Sequence, residues 1–523
     1  MYTIQEINVV KRRPKPDTLR VLILVPTPYK AAMSSLFLQM TYSYLNNYEH
    51  IYAERSWIES DYNIVSAETS TPLKKFDVIL FSLSYELDYV NFVKVLIESS
   101  LNPFSRFRTP NDPLIIVGGL APTSNPEPIA ELADVIVIGD AENFLQKIVE
   151  IGKGKKEYII ECLSSINGIY IPKFHQERIQ KSTTLDLDTA FHPIAEVIPK
   201  NIELVFGRGY LVEVTRGCPH LCSFCLEGHV GLPFRWRSLK VLKDLIKKGI
   251  KACEVDKVIL YSLSLFDHPQ ADDVLQYLIN ENLRASIPSI RPSTLTEERI
   301  EMIVKLGQRT LTIAPETGSK EIACMIRKPL NYDVVELVNK AFALGIKHVK
   351  LYIMTALPGE KEEDLKKTIN LIKRIVNSCP RKYPEILRIS LNPLVPKPHT
   401  PLQWLPPTPV DNARRRIEFI RRSIKSPYIR IQIYDPRWAW IQGIIALGTR
   451  DLGRIIIEVA KREGGLGAWR TALSKIINKL KYVKQGWDLE SELPWDFIDV
   501  GIPKQYLVQE YLVFRAYSNL KMI

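Results

Sequence analysis

Three cysteines, Cys218, Cys222 and Cys225, fall within eight residues in the stretch LVEVTRGCPHLCSFC, residues 211–225. Soft thiolates gathered on one compact loop suit an iron–sulfur cluster or zinc. A closed structural zinc site takes four protein ligands, and this loop supplies three. His220 or His229 could add a fourth, although His220 lies between two of the cysteines and the loop would have to fold back on itself. Three thiolates alone leave one iron of a four-iron cluster open to a substrate or cofactor. Seven cysteines in all, an odd number with three clustered, favour a metal site in a reducing compartment over a disulfide framework. Cys162, Cys253, Cys324 and Cys379 stand apart and read as small buried hydrophobes.

The loop must be positioned by the elements around it. From residue 206 to 408 six strand patterns, at 211–214, 258–264, 285–290, 310–314, 348–354 and 386–394, alternate with helical periodicity, as at 239–248, 297–306 and 361–376. Six βα units suit a partial parallel barrel with its site at the C-terminal ends of the strands. The cysteine loop follows the first strand, Ser262 and Ser264 the second, and Arg291 ends the third and should face the site. Glu316 ends the fourth, in IAPETGS (313–319), where a carboxylate can accept hydrogen bonds from hydroxyl or ammonium groups or cap the next helix.

Residues 19–152 show an earlier alternation, with apolar runs at 19–25, 78–81, 114–117 and 135–138 and helical patterns at 31–46, 87–98 and 141–151. The run LRVLILV reads as a parallel strand covered on both faces. This predicts a doubly wound α/β domain, Rossmann-like, whose ligands lie beyond the carboxyl ends of the strands. The expected organisation is therefore a doubly wound domain over 1–152, a connector with short strands over 153–205, the barrel over 206–408 and a mainly helical region over 409–523.

The C-x3-C-x2-C spacing after the first strand of a βα barrel, with the aromatic Phe224 before the third cysteine, resembles the radical S-adenosylmethionine (SAM) superfamily. The resemblance implies a 4Fe–4S cluster on Cys218, Cys222 and Cys225 whose open iron chelates SAM, an external electron donor, and reductive cleavage to a 5′-deoxyadenosyl radical. Carried onto this chain, it makes Phe224, Ser262, Ser264, Arg291 and Glu316 the SAM-binding positions. APETGS resembles the family's ESGS-like segment, SLS (262–264) stands where the family has Gly-Gly-Glu, and LPGE (357–360) matches a structural turn. The doubly wound domain ahead of the barrel resembles the cobalamin-binding class, in particular a branch with the segments FSLSYELDY (81–89), PKPHTPLQW (396–404) and ELPWDFIDVG (492–501). That implies cobalamin over the strand-end residues Thr27, Pro28, Tyr29, Ser82, Ser84, Gly118 and Gly119. PTPYKAAM, residues 26–33, carries no base-off histidine, so the lower cobalt ligand is expected to be water or nothing.

With 523 residues, 46% hydrophobic and 24% charged, the chain reads as a soluble protein of two or three domains. No apolar run approaches the ~18–20 residues of a membrane span, and the N-terminus lacks a signal-peptide apolar region, so a cytoplasmic location is expected. The net charge of +12 is visible in Arg414–Arg416, Arg421-Arg422 and residues 475–484. Such runs fit a polyanionic partner or merely solvated helix faces. The leading expectation is a transferase, a cobalamin-dependent methylation of an unreactive carbon. One alternative is cobalamin-independent radical modification of RNA or protein. A rival of another class is a non-catalytic, metal-containing RNA-binding protein using Trp438, Trp440 and Trp469.

Overall fold

The computed structural model describes residues 4–59, 64–174, 178–380 and 382–518. Leu19–Leu24, buried along nearly its whole length, runs inside a six-stranded sheet. Across the sheet the order is Ile51–Ser56, Leu19–Leu24, Val78–Ser82, Leu114–Gly118, Val135–Val137 and Ile169–Tyr170. All pairings are parallel except the last. The strand Ile51–Ser56 escaped the sequence reading because Glu54 and Arg55 interrupt its apolar run. Both are buried as ion pairs, Glu54 with Arg20 at 2.6 Å and Arg55 with Glu6 at 2.8 Å and Glu68 at 2.6 Å. The chain departs from Leu19–Leu24 to one side and then to the other, which puts the topological switch point between that strand and Val78–Ser82. The helix expected over 31–46 is two, Tyr29–Ala32 and Leu36–Asn46, because the Ser35 side chain caps the second by accepting from Leu38 N.

The barrel has seven parallel strands in chain order. Tyr210–Glu213, Lys257–Tyr261 and Arg284–Ser286 form one set, and Thr310–Glu316, His348–Thr355, Leu387–Pro393 and Ile429–Ile433 the other. A parallel bridge between Ile290 and Ile313 joins them. Ile429–Ile433 was not expected, since residues 409–523 read as mainly helical. It is a short, half-exposed edge strand between the helices Val410–Ser423 and Pro436–Ala446. Along the strands, Leu311, Ile313, Val349, Leu351, Ile353, Leu387 and Ile389 are buried in one core with the outer helices. The alternate positions point inward and are largely polar, unlike the Val, Ile and Leu that fill a closed βα barrel.

The C-terminal helices cover the N-terminal sheet, and Leu22, Phe92, Trp404, Trp469 and Trp495 share one core. Trp469 is therefore interior, and Trp438 and Trp440 are half-buried against the same core, so these three do not form the exposed aromatic surface considered above. The arginine runs carry their own carboxylates: Arg421 and Arg422 share Glu418, Arg414 pairs with Asp411 and Arg416 with Glu360. Ile498–Asp499, within ELPWDFIDVG, pairs with Ile179–Gln180 of the connector. No helix among the described residues is long and apolar enough to cross a membrane.

Candidate active site

Gly217 adopts φ +81°, and a Cβ there would stand 2.3 Å from the Gly231 carbonyl oxygen, so the turn into Cys218 requires glycine. Backbone bonds from Cys225 N to Cys222 O at 2.9 Å and from Ser223 N to Ile326 O at 3.1 Å fix the loop. Burial raises the Cys218 thiol, with Cys222 adding to the effect, and pushes the Cys225 thiol up to about 12, reinforced by Glu227. Arg291 Nη1 donates to Cys222 Sγ at 3.5 Å. Three soft donors, interacting with one another in a low-dielectric loop, fit a 4Fe–4S cluster, since iron supplies the positive charge that stabilises thiolates there. No three His, Cys, Asp or Glu side chains among the described residues converge on a single ion. The two histidines considered as fourth ligands each have one ring nitrogen bonded elsewhere, and His229 Nε2 is buried without a hydrogen-bond partner among the described residues. His229, held neutral by burial at a pKa of about 4, donates from Nδ1 to the Cys225 carbonyl at 2.8 Å. His220 Nε2 lies 2.7 Å from Asp267 Oδ2.

Asp267 escaped the sequence reading, although it lies only three residues past Ser264. Burial opposes its ionisation, but hydrogen bonds from His220 and Ser264 outweigh this and hold its carboxyl below the usual range. It ties the cysteine loop to the second strand's end. Asp267→Ala is expected to weaken cluster incorporation by about 10-fold, the lower range for lost partners of metal-binding residues. Iron and sulfide per chain after anaerobic reconstitution measure this, and Asp267→Asn should fall between the two.

Ser262 Oγ sits 2.6 Å from Thr215 Oγ1 and accepts from Ser264 N at 3.1 Å, while Ser264 Oγ donates to Asp267. Both serines thus brace strand ends. Glu316 follows an irregularity in the strand pairing, with φ +66° and Lys328 Nζ 2.8 Å from its carboxylate. A non-glycine residue in the left-handed region costs about 1–2 kcal/mol, and such strain gathers at functional sites. Burial raises the Tyr332 hydroxyl, with Arg291 opposing and Glu316 adding to the effect. The rest of APETGS is structural. Thr317 meets Thr368 at 3.3 Å, a Cβ on Gly318 would stand 2.7 Å from Thr368 Cα, and Ser319 caps the helix Lys320–Met325. Phe224 is half-buried against the core beneath the loop. In LPGE, Glu360 Oε2 accepts from Ala356 N at 2.8 Å and Arg416 at 3.1 Å, and its carboxyl is raised by burial to about 7.

A cavity of about 800 Å3 fills the barrel interior, with Thr215, Gly217, Glu227 and Ser262 toward the strand C-termini and Lys257, Arg284 and Arg309 at the opposite end. A second, of about 260 Å3, lies at the carboxyl ends of the N-terminal sheet. Ser82, Ser84, Gly118 and Gly119 line it, facing Glu213, Arg216 and Tyr261 of the barrel. Thr27, Pro28 and Tyr29 are not among its walls. Tyr29 is buried, donates to Glu6 at 2.9 Å and stands edge-on to Trp57. Asp140, Glu142, Glu213 and Arg216 make the rest of its rim charged, and the volume lies below the roughly 300–1,000 Å3 of small-molecule sites. A corrinoid bound at this rim would draw the two domains apart there. Between the cavities Arg216 pairs with Glu213 at 2.7 Å, Glu142 at 2.8 Å and Asp140 at 3.2 Å, and Arg235 with Asp140 at 2.6 Å. This network was also missed. Its legible signals were the place of Arg216 beside Gly217-Cys218 and of Asp140 just past the strand Val135–Val137.

A three-thiol loop after the first strand of an open βα barrel defines an iron–sulfur enzyme class. Residues 212–372 match the model described as the radical SAM superfamily, and 38–172 the one described as radical SAM proteins, N-terminal. The chain belongs to the radical SAM superfamily and is a radical SAM enzyme. It is 28% identical over 440 residues to the uncharacterized protein MJ0966 of Methanocaldococcus jannaschii, spanning 83% of this chain and 90% of that one. It is 22% identical over 353 residues to the ribosomal protein uS12 methylthiotransferase RimO of Gloeothece citriformis, spanning 62% and 71%. Its fold is similar to that of the radical SAM methyltransferase TsrM from Kitasatospora setae, solved with cobalamin and a 4Fe–4S cluster bound. The TM-score is 0.57 and the identity 14%, over 85% of this chain and 100% of that one.

Proposed function

We propose that Cys218, Cys222 and Cys225 hold a 4Fe–4S cluster with which the chain cleaves SAM reductively, and that the substrate carbon is presented from the barrel cavity. The observation that carries this reading is the three-thiol loop after the first barrel strand, whose flanking Gly217 and Glu227 line the C-terminal end of an 800 Å3 chamber. When bound, the cluster supplies the electron that splits SAM into methionine and a 5′-deoxyadenosyl radical. The protein's own part is to hold and orient. Arg291 sets a positive charge beside Cys222, Glu316 and Lys328 offer an acceptor and a donor to SAM's polar groups, and the chamber walls limit water at the reacting carbon.

Methylation of an unreactive carbon with cobalamin is the finer form of the proposal. It is supported by the second cavity at the carboxyl ends of the N-terminal sheet and by the fold shared with TsrM. RNA or protein is the proposed substrate class, with an external electron donor as partner. Anaerobic reconstitution, reduction and chromatography test the first part, with methionine and 5′-deoxyadenosine expected. Full iron and sulfide without SAM cleavage would overturn it. Absorbance titration with hydroxocobalamin tests the second. No binding at high micromolar protein removes the corrinoid and leaves the cobalamin-independent reaction.

A further inference from the structure

The inward face of the barrel is unusually basic at its lower end. In the parallel register Thr312 lies beside Lys350, Lys350 beside Arg388, and Arg388 beside Arg430, one level across four adjacent strands. Thr312 and Tyr352, on the same face as Lys350, line the cavity, so this level faces inward, although Lys350, Arg388 and Arg430 are not themselves among the cavity walls. Strands lie ~4.8 Å apart, and like charges at that spacing repel. Glu385 serves two of the three cations, 3.5 Å from Arg388 and 3.2 Å from Arg430. Lys350 is half-buried, touches the Tyr352 hydroxyl at 3.1 Å and has no carboxylate partner among the described residues.

Lys257, Arg284 and Arg309 line the same end of the cavity. Arg284 pairs with the exposed Asp256 at 2.7 Å, Lys257 Nζ donates to the Phe206 carbonyl at 2.6 Å, and Arg309 donates to the carbonyls of Val304 and Gln308. Lys257 also feels Glu203, so six cations meet three carboxylates, and exposed ion pairs of this kind are weak enough for an incoming anion to displace. Guanidinium forks and ammonium groups together match phosphate oxygens. The strand Lys257–Tyr261 contributes both its ends to the cavity, four residue steps of ~3.3 Å, so the basic end lies about 13 Å from the cluster end.

We propose that this lower mouth binds a phosphate or diphosphate group of the substrate, leaving the carbon to be modified at the cluster end. The proposal rests on the barrel cavity being the reaction chamber, and it excludes substrates without an anionic group at that reach. Isothermal titration of the reconstituted full chain with inorganic pyrophosphate should show saturable, salt-weakened binding. The triple variant Lys257→Met, Arg309→Met, Lys350→Met should bind at least about tenfold more weakly, the loss of one or two charge-assisted hydrogen bonds. Arg284→Ala, at a mostly exposed position that leaves the fold intact, should weaken binding in the same direction. Lys366→Met, on the outer helix Glu362–Ser378, should bind as the parent does. No saturable binding by the parent, or undiminished binding by the triple variant, overturns the proposal. Displacement of pyrophosphate by an RNA oligonucleotide identifies a nucleic-acid phosphate, and displacement only by nucleoside diphosphates a small one. SAM cleavage by the parent is measured separately. Cleavage without pyrophosphate binding sinks this inference alone, and binding without cleavage sinks the proposed function instead.

Discussion

Cys222→Ala, reconstituted anaerobically, is expected to lose the visible charge-transfer absorbance of an iron–sulfur cluster and to release no 5′-deoxyadenosine from SAM. Two protein thiolates then remain in the loop where the cluster draws on three. The loss in SAM cleavage should exceed about 10³-fold, more than ~4 kcal/mol of transition-state stabilisation. The fold should pay little, about 1 kcal/mol for one buried sulfur, so circular dichroism and melting should stay close to the parent. Cys324→Ala removes an exposed cysteine outside the loop and should keep both cluster and cleavage. A Cys222→Ala protein with full iron, sulfide and SAM cleavage would refute the assignment of the loop.

What the sequence revealed and what it hid follow from the physics of each part. The cysteine loop was legible because ligand chemistry is local, with three thiols, a glycine turn and a preceding strand lying together in fifteen residues. Long apolar runs such as LRVLILV identified strands for the same reason. Ile51–Ser56 was hidden because its buried Glu54 and Arg55 read as surface charges until their partners, distant in sequence, are known. Ser262 and Ser264 stand where ligand residues were expected, yet their hydroxyls are engaged with Thr215 and Asp267. Lys328, twelve residues past Glu316, meets its carboxylate only after the chain turns through the helix Lys320–Met325. The strand-end glycines Gly118 and Gly119 line a cavity, whereas Tyr29 is drawn away by Glu6 and Trp57. That divergence depends on tertiary contacts that spacing does not encode.

Arg216→Met is expected to lower the apparent melting temperature at neutral pH by roughly 5–10 °C, because one side chain neutralises three interior carboxylates. Glu213 keeps Arg237 and Asp140 keeps Arg235, but Arg216 is the only ion-pair partner of Glu142 among the described residues. Removing one member of a buried charge set leaves uncompensated charge and costs about 3–5 kcal/mol. The pH dependence gives the sign. Burial opposes ionisation of Asp140 and Glu213, but Arg216 and its neighbours prevail and hold both folded carboxyls below their ordinary values. In the parent their stabilisation is therefore full above the ordinary carboxylate range and is lost as pH falls through the lower folded values. In the variant burial gains, the folded values rise, and ionisation costs stability at neutral pH but not in acid. The difference in melting temperature should thus be largest near neutrality and shrink toward about pH 4, where carboxylates protonate. Arg216→Lys keeps the charge without the planar fork and should fall between. Thermal scans across that pH range decide the matter. A variant that melts with the parent at neutral pH, or a gap that widens in acid, would show that this network does not hold the N-terminal domain to the barrel.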